Sequence, residues 1–109
     1  MGTRIRLTFS TATVLYALSR GIRYGFDIID ATALQSGTVY PVLRRLEESG
    51  MVRSQWEPAH AARDAQRPPR RYYELTGSGA EAVRDALDRF PALRHAVGRA
   101  DGAGAPRPA

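Results

Sequence analysis

The sequence contains no cysteine and no lysine, and it has no apolar run of the roughly 18–20 residues that a membrane span needs. Without cysteine, disulfides, thiolate metal sites and a thiol nucleophile are all excluded. Every one of the 16 basic residues is arginine. Gly77-Ser78-Gly79 is therefore no phosphate-binding loop, which requires a different spacing and a lysine. Met1-Gly2-Thr3-Arg4 leads into a mixed segment without the apolar stretch and small-residue cleavage site of a signal peptide. These absences suit a cytoplasmic protein with no membrane partner. Catalytic groupings are scarce as well. His60 and His95 each lack a nearby nucleophile and a third orienting residue. His60 and Asp64 stand four apart but supply only two metal ligands. No catalytic residue, metal or cofactor is expected, and the chain does not read as an enzyme.

What is present fits one small domain. The chain has 109 residues, 43% of them hydrophobic, and a net charge of +5. The charge is uneven. Between Arg53 and Arg71 five arginines (53, 63, 67, 70 and 71) face only Glu57 and Asp64, so +3 of the +5 falls in this stretch. Such a stretch points either to a polyanionic partner or to a loop kept soluble by charge.

The periodicity predicts a first helix over Ser10–Arg20, with Leu7, Thr11, Val14, Leu15 and Leu18 on one face, Ser10 as N-cap and Gly21 as stop. A second helix is expected from Gly25 to Ala33, with Phe26, Ile29 and Ala33 inward and Asp27 and Asp30 outward. The third, Gly37–Ser49, has the clearest stripe: Val39, Val42, Leu43 and Leu46. Ser36 is its expected N-cap, Pro41 is tolerable near the first turn, and Gly50 ends it. Met51–Glu57 and Arg71–Leu75 read as strands around a polar loop, Pro58–Arg70, too long for a tight hairpin turn. Thr76 is the expected N-cap of a last helix, Gly77–Phe90, striped by Ala80, Val83, Leu87 and Phe90. Pro91 interrupts or kinks it, and Leu93 and Val97 extend the apolar face.

This order describes a mainly α fold with a small β-wing: a winged helix-turn-helix with a three-helix core, a two-stranded wing and a C-terminal dimerisation helix. The domain is expected over residues 1–97, with its dimerisation helix at about 77–97, followed by a disordered tail at 98–109.

Three separated blocks resemble the PadR-like regulators. They are Gly37-Thr38-Val39-Tyr40-Pro41-Val42-Leu43-Arg44-Arg45-Leu46-Glu47-Glu48-Ser49-Gly50-Met51-Val52, Tyr24-Gly25-Phe26-Asp27-Ile28-Ile29, and Pro69-Arg70-Arg71-Tyr72-Tyr73-Glu74-Leu75-Thr76. Their order and spacing extend the resemblance over about residues 7–90. It implies a winged-helix fold, a symmetric dimer, and repression of a nearby promoter relieved by a small molecule. With one helix and a tail after the wing, the chain resembles the short form of that family.

If the third helix lies in the major groove, Ser36, Thr38, Tyr40, Pro41, Arg44 and Arg45 form its DNA-facing set. The arginine forks suit phosphate or a guanine edge. Alternatively, Tyr40 packs at the edge of the core and both arginines pair with Glu47 or Glu48. Arg63, Arg67 and Arg70 in the wing are candidates for the minor groove or phosphate, or belong to a free loop. Trp56 either lines an inter-subunit groove for a small aromatic effector, as in the short family, or packs in a core. Leu15, Leu18, Val83, Leu87 and Phe90 are the expected dimerisation residues. The expected partners are double-stranded DNA with a palindromic operator and a second copy of the chain. A winged-helix protein–protein interaction module without an effector is the alternative.

Overall fold

Helix α1 (Phe9–Ser19) forms the centre of the molecule in the computed structural model, which describes residues 6–97. The tail expected at 98–109 lies outside the described residues. Thr11–Leu18 are all buried, so α1 is covered all round and not along a single stripe. Its buried threonines are satisfied locally. The Thr13 hydroxyl donates to the Phe9 carbonyl at 2.7 Å, and Thr8 donates to the Thr11 hydroxyl at 3.1 Å. Thr8, not Ser10, is the N-cap, because its side chain accepts from the Thr11 N–H at 3.2 Å. Gly21, at φ +87°, ends the helix, and the Ile22 N–H turns back to the Ala17 carbonyl.

Helices α2 (Gly25–Thr32) and α3 (Ser36–Glu48) pack on α1 and on each other. In α2 the buried large residue is Ile28. Phe26 stands about 200° round the helix from it and is 72% exposed, contrary to the expected face. Ala33 lies beyond the helix as a left-handed cap at φ 60°, not on the apolar stripe. In α3, Val39, Val42, Leu43 and Leu46 are buried as their spacing predicts. Gln35 occupies the N-cap position without a side-chain bond, so Ser36 is the exposed first residue and not the cap. Pro41 is the sixth residue of α3, beyond the first turn. It forgoes the bond to the carbonyl of Gly37, which is exposed.

Strands β1 (Val52–Trp56) and β2 (Arg71–Leu75) pair antiparallel, with Val52 opposite Leu75 and Trp56 opposite Arg71. Tyr24 bridges to Tyr72 on the other edge of β2, and the Arg23 carbonyl accepts from the Tyr73 N–H at 2.9 Å. The link between α1 and α2 thus fastens the wing to the helices. The segment expected to be only loop contains α4 (Ala59–Asp64), which buries Ala62. Its alanines, directly after Pro58, supply the helix propensity.

Thr76 caps α5 (Gly77–Arg89) as expected, accepting from the Gly79 N–H at 3.2 Å. The buried face of α5 is Gly79, Ala82, Val83 and Ala86, and Ala80 is exposed. Small residues let α5 lie close against α1, which shifts the contact face away from the expected stripe. After Pro91, α6 (Leu93–Ala96) returns to the core, where Leu93 and Val97 are buried. Among the expected dimerisation residues, Leu15, Leu18 and Val83 are corrected. They belong to the protomer's own core and leave almost no surface for a partner. Leu87 and Phe90 are half-buried, and Phe90 meets the exposed Phe9 edge-to-face at 5.4 Å.

Gly79 is needed at a different contact, where the start of α5 passes the base of the wing. A Cβ there would collide with the Met51 carbonyl oxygen and reach 3.0 Å from Leu75 Cδ2. Gly79→Ala should therefore destabilise by about 1–3 kcal/mol despite alanine's better helix propensity. Gly77→Ala, which meets nothing within 4 Å, should be neutral or stabilising in the same thermal denaturation series.

Candidate nucleic-acid interface

The face of α3 opposite its buried stripe carries Ser36, Tyr40, Arg44 and Arg45 as exposed residues, with Thr38 and Pro41 half-buried at its edge. The guanidinium groups of Arg44 and Arg45 have no partner among the described residues. The alternative in which they pair with Glu47 is not what forms. Glu47 accepts instead from the Ser54 hydroxyl at 2.6 Å and pairs with Arg71 at 3.5 Å. Tyr40 is 43% exposed and lies across the start of α2. A Cβ on Gly25 would stand 2.8 Å from its hydroxyl oxygen, so glycine is what admits the ring. One side of Tyr40 therefore packs against α2 and the other is exposed.

The wing arginines separate into two kinds. Arg63, on α4, is exposed and its guanidinium has no partner among the described residues. Arg67 and Arg70 are not free loop cations. Both converge on Glu57, whose side chain is only 8% exposed. Arg67 addresses both carboxylate oxygens, with Nη2 at 2.9 Å from Oε2 and Nη1 on Oε1. The Arg70 backbone N–H donates to Oε1 at 2.9 Å, and the Tyr24 hydroxyl donates to Oε2 at 3.0 Å. The Arg70 guanidinium sits 3.6 Å from Glu57 and 3.8 Å from the centre of the Tyr24 ring. Arg67's hydrogen bonds hold the Glu57 carboxyl far below the usual carboxylate range; burial opposes this, and the Arg70 and Tyr24 bonds add to it. Arg67 is correspondingly pushed up by Glu57. The other basic wing residues are also paired, Arg53 with Glu74 at 3.4 Å and Arg71 with Glu47.

Glu57 and Tyr24 were not among the expected site residues. Their partners lie 10 to 33 positions away, so no local spacing marks them.

Trp56 is 63% exposed, which removes the core reading for it. It borders an open cavity of about 270 Å³ within one protomer, between the wing and the starts of α2 and α3. Phe26, Tyr40, Tyr73, Pro69 and Arg71 complete most of its wall. Burial raises the pKa of Tyr73, so its hydroxyl stays protonated at neutral pH. Among the described residues no group of three or more His, Asp or Glu side chains converges as a metal site, and no helix is long and apolar enough to cross a membrane.

The Transcriptional regulator PadR-like family matches this chain over residues 14–85. A PadR family transcription regulator from hypervirulent Clostridium difficile R20291 superposes with a TM-score of 0.65 at 19% identity, covering 80% of this chain and 92% of that one. A PadR family transcriptional regulator from Eggerthella lenta DSM 2243 gives a TM-score of 0.54 at 29% identity, covering 79% of this chain and 78% of that one. No curated protein matches the sequence.

The Glu57 cluster carries a pH signature. A carboxyl depressed in the folded state contributes stability that is fully present above its unfolded pKa of about 4.5. That contribution is lost as pH falls towards the folded value. The melting temperature of the wild type should exceed that of Glu57→Gln by a constant margin between pH 6 and 8, and the margin should shrink below pH 4.5. A margin independent of pH would show that the charge is not its source.

Proposed function

The chain belongs to the PadR-like family of transcriptional regulators, and from that premise we propose that it is a dimeric, sequence-specific repressor that leaves a palindromic operator when a small aromatic effector binds. The observation that carries this reading is the pair Arg44 and Arg45. Two unpaired guanidinium groups on the exposed face of α3 are a readout surface for base edges and phosphates. Arg63 on the wing supplies a third free cation for the adjoining backbone, and the net charge of +5 favours a polyanion. The family consists of transcription regulators and not enzymes, and the proposed compartment is the cytoplasm.

A second copy fits the apolar patch where exposed Phe9 meets half-buried Phe90 and Leu87. A two-fold dimer through this patch pairs it with itself and presents two α3 helices to successive half-sites about 34–36 Å apart. The aromatic cavity beside Trp56 supports the effector. Its wall offers flat ring faces, Arg71 lies 5.9 Å from the indole centre, and Tyr40 brings the recognition helix into the lining. In this reading the ligand contacts ring faces that a single protomer supplies.

Selection of bound fragments from a random duplex pool tests the DNA reading. A palindrome bound by two chains is the expected outcome, with a log K versus log salt slope of about −5 if Arg44, Arg45 and Arg63 of both chains each contact one phosphate. Arg44→Ala should cost about 1–3 kcal/mol at the selected site and relax preference at one position per half-site. A wild type with equal affinity for selected and scrambled duplexes would defeat the proposal.

Trp56 is the only tryptophan and reports directly on the cavity. A panel of planar aromatic carboxylates should include members that quench its emission and release the operator at the same concentration. Quenching without release would keep the cavity as a binding site but remove its regulatory role.

A further inference from the structure

The stretch with the highest density of arginine is not where the free positive charge lies. Four of the five arginines between Arg53 and Arg71 are paired, and Arg63 alone is not. Arg67 spends its fork on both oxygens of Glu57, and Arg70 is held between the same carboxylate and the Tyr24 ring. These pairs are not casual surface contacts. The Glu57 side chain is 8% exposed, and it also binds the Tyr24 hydroxyl and the Arg70 N–H. Moving Arg67 to a DNA phosphate would cost this shielded carboxylate two of its four hydrogen bonds, and moving the Arg70 guanidinium would cost it a 3.6 Å ion pair and the stacking on Tyr24.

Phosphate contacts supply nearly all of a protein's affinity for arbitrary DNA, whereas base contacts supply discrimination. We infer that Glu57 limits sequence-independent DNA affinity by withholding Arg67 and Arg70 from the phosphate backbone. Glu57 is then a specificity-determining residue that never touches DNA. The assignment reverses the direct phosphate role expected for Arg67 and Arg70. It rests on the DNA-binding reading above.

The test uses the full chain at neutral pH, titrated into a scrambled duplex and a selected operator at several salt concentrations. Glu57→Gln keeps the side chain's shape and loses its charge. It should bind the scrambled duplex several-fold to tenfold more tightly than the wild type. Its salt slope should steepen by about 2–4, the value for up to four newly contacted phosphates per dimer. Glu81→Gln, exposed on α5, changes the net charge equally and should give a much smaller gain. Arg67→Ala should leave scrambled affinity within about twofold of wild type, and adding Arg67→Ala and Arg70→Ala to Glu57→Gln should abolish the gain.

Weaker binding by a folded Glu57→Gln, or an unchanged slope, would overturn the inference, because Glu57 would then merely order the wing. So would a large loss in Arg67→Ala, which would place that guanidinium on phosphate. Should Glu57→Gln fail to fold by circular dichroism, Glu57→Asp decides: its shorter carboxylate reaches Arg67 less well and should raise scrambled affinity in the same direction, and an unchanged affinity would overturn the inference. The wild-type titrations separate the two readings: selective binding to the operator upholds DNA recognition whatever the variants do.

Discussion

Everything in this fold is arranged around the burial of one short helix. Eight consecutive residues of α1 are covered, including two threonines whose hydroxyls are satisfied within the helix and its cap. A helix of eleven residues is marginal alone and is held by what surrounds it. α2 and α3 cover one side, α5 and α6 another, and β2 also reaches it. Because α5 must approach closely, its inner face is glycine and alanine. Because α3 spends its whole stripe on this core, its opposite face is left to solvent with Arg44 and Arg45. The exposed basic face of α3 is thus a geometric consequence of enclosing α1.

The charges follow a second constraint. The wing is a two-stranded ribbon with a 14-residue excursion between Trp56 and Arg71, and such a ribbon has little core of its own. Ala62 supplies a small apolar anchor, but the convergence on Glu57 ties the excursion down. The carboxylate closes onto residues 67 and 70 and onto Tyr24 in the helical body. Two of the five arginines that give the segment its basic composition are the counter-ions of this closure, and two more pair with Glu74 and Glu47. Composition alone overstated the charge the wing can offer.

Helix order, both strands, the α3 stripe, the Thr76 cap and the breaks at Gly21 and Gly50 were legible because each rests on local periodicity or local backbone conformation. Errors arose where tertiary packing overrode that signal. Phe26 looked like a core residue by type, yet Ile28 takes the inward position because the phase of α2 is set by contacts with α1 and α3. Leu15 and Val83 looked available to a partner because a stripe does not say which surface covers it. Within the candidate site, Arg44 and Arg45 were legible from the wheel of α3. Arg67 was not, because its fate depends on a glutamate ten residues away across a fold that no spacing encodes.

The cavity and the wing clamp share Tyr24 and Arg70, an overlap that would link them under the proposed function. Tyr24 lines the cavity, bonds Glu57 through its hydroxyl and supports Arg70 on its ring. Tyr40, on the opposite wall, is part of the exposed face of α3. An occupant that moved either ring would change the interface or its charge balance directly, without a separate sensing domain. The thermodynamic condition is strict, because a ligand shifts DNA affinity only by the difference in its own affinity for the free and DNA-bound forms. A site distant from the interface must generate that difference through a bistable element. Under the proposed function, a site walled by α3 would generate it by contact, because a duplex docked on α3 would narrow the same opening. Linkage then works both ways, and DNA must weaken the ligand by the factor by which the ligand weakens DNA.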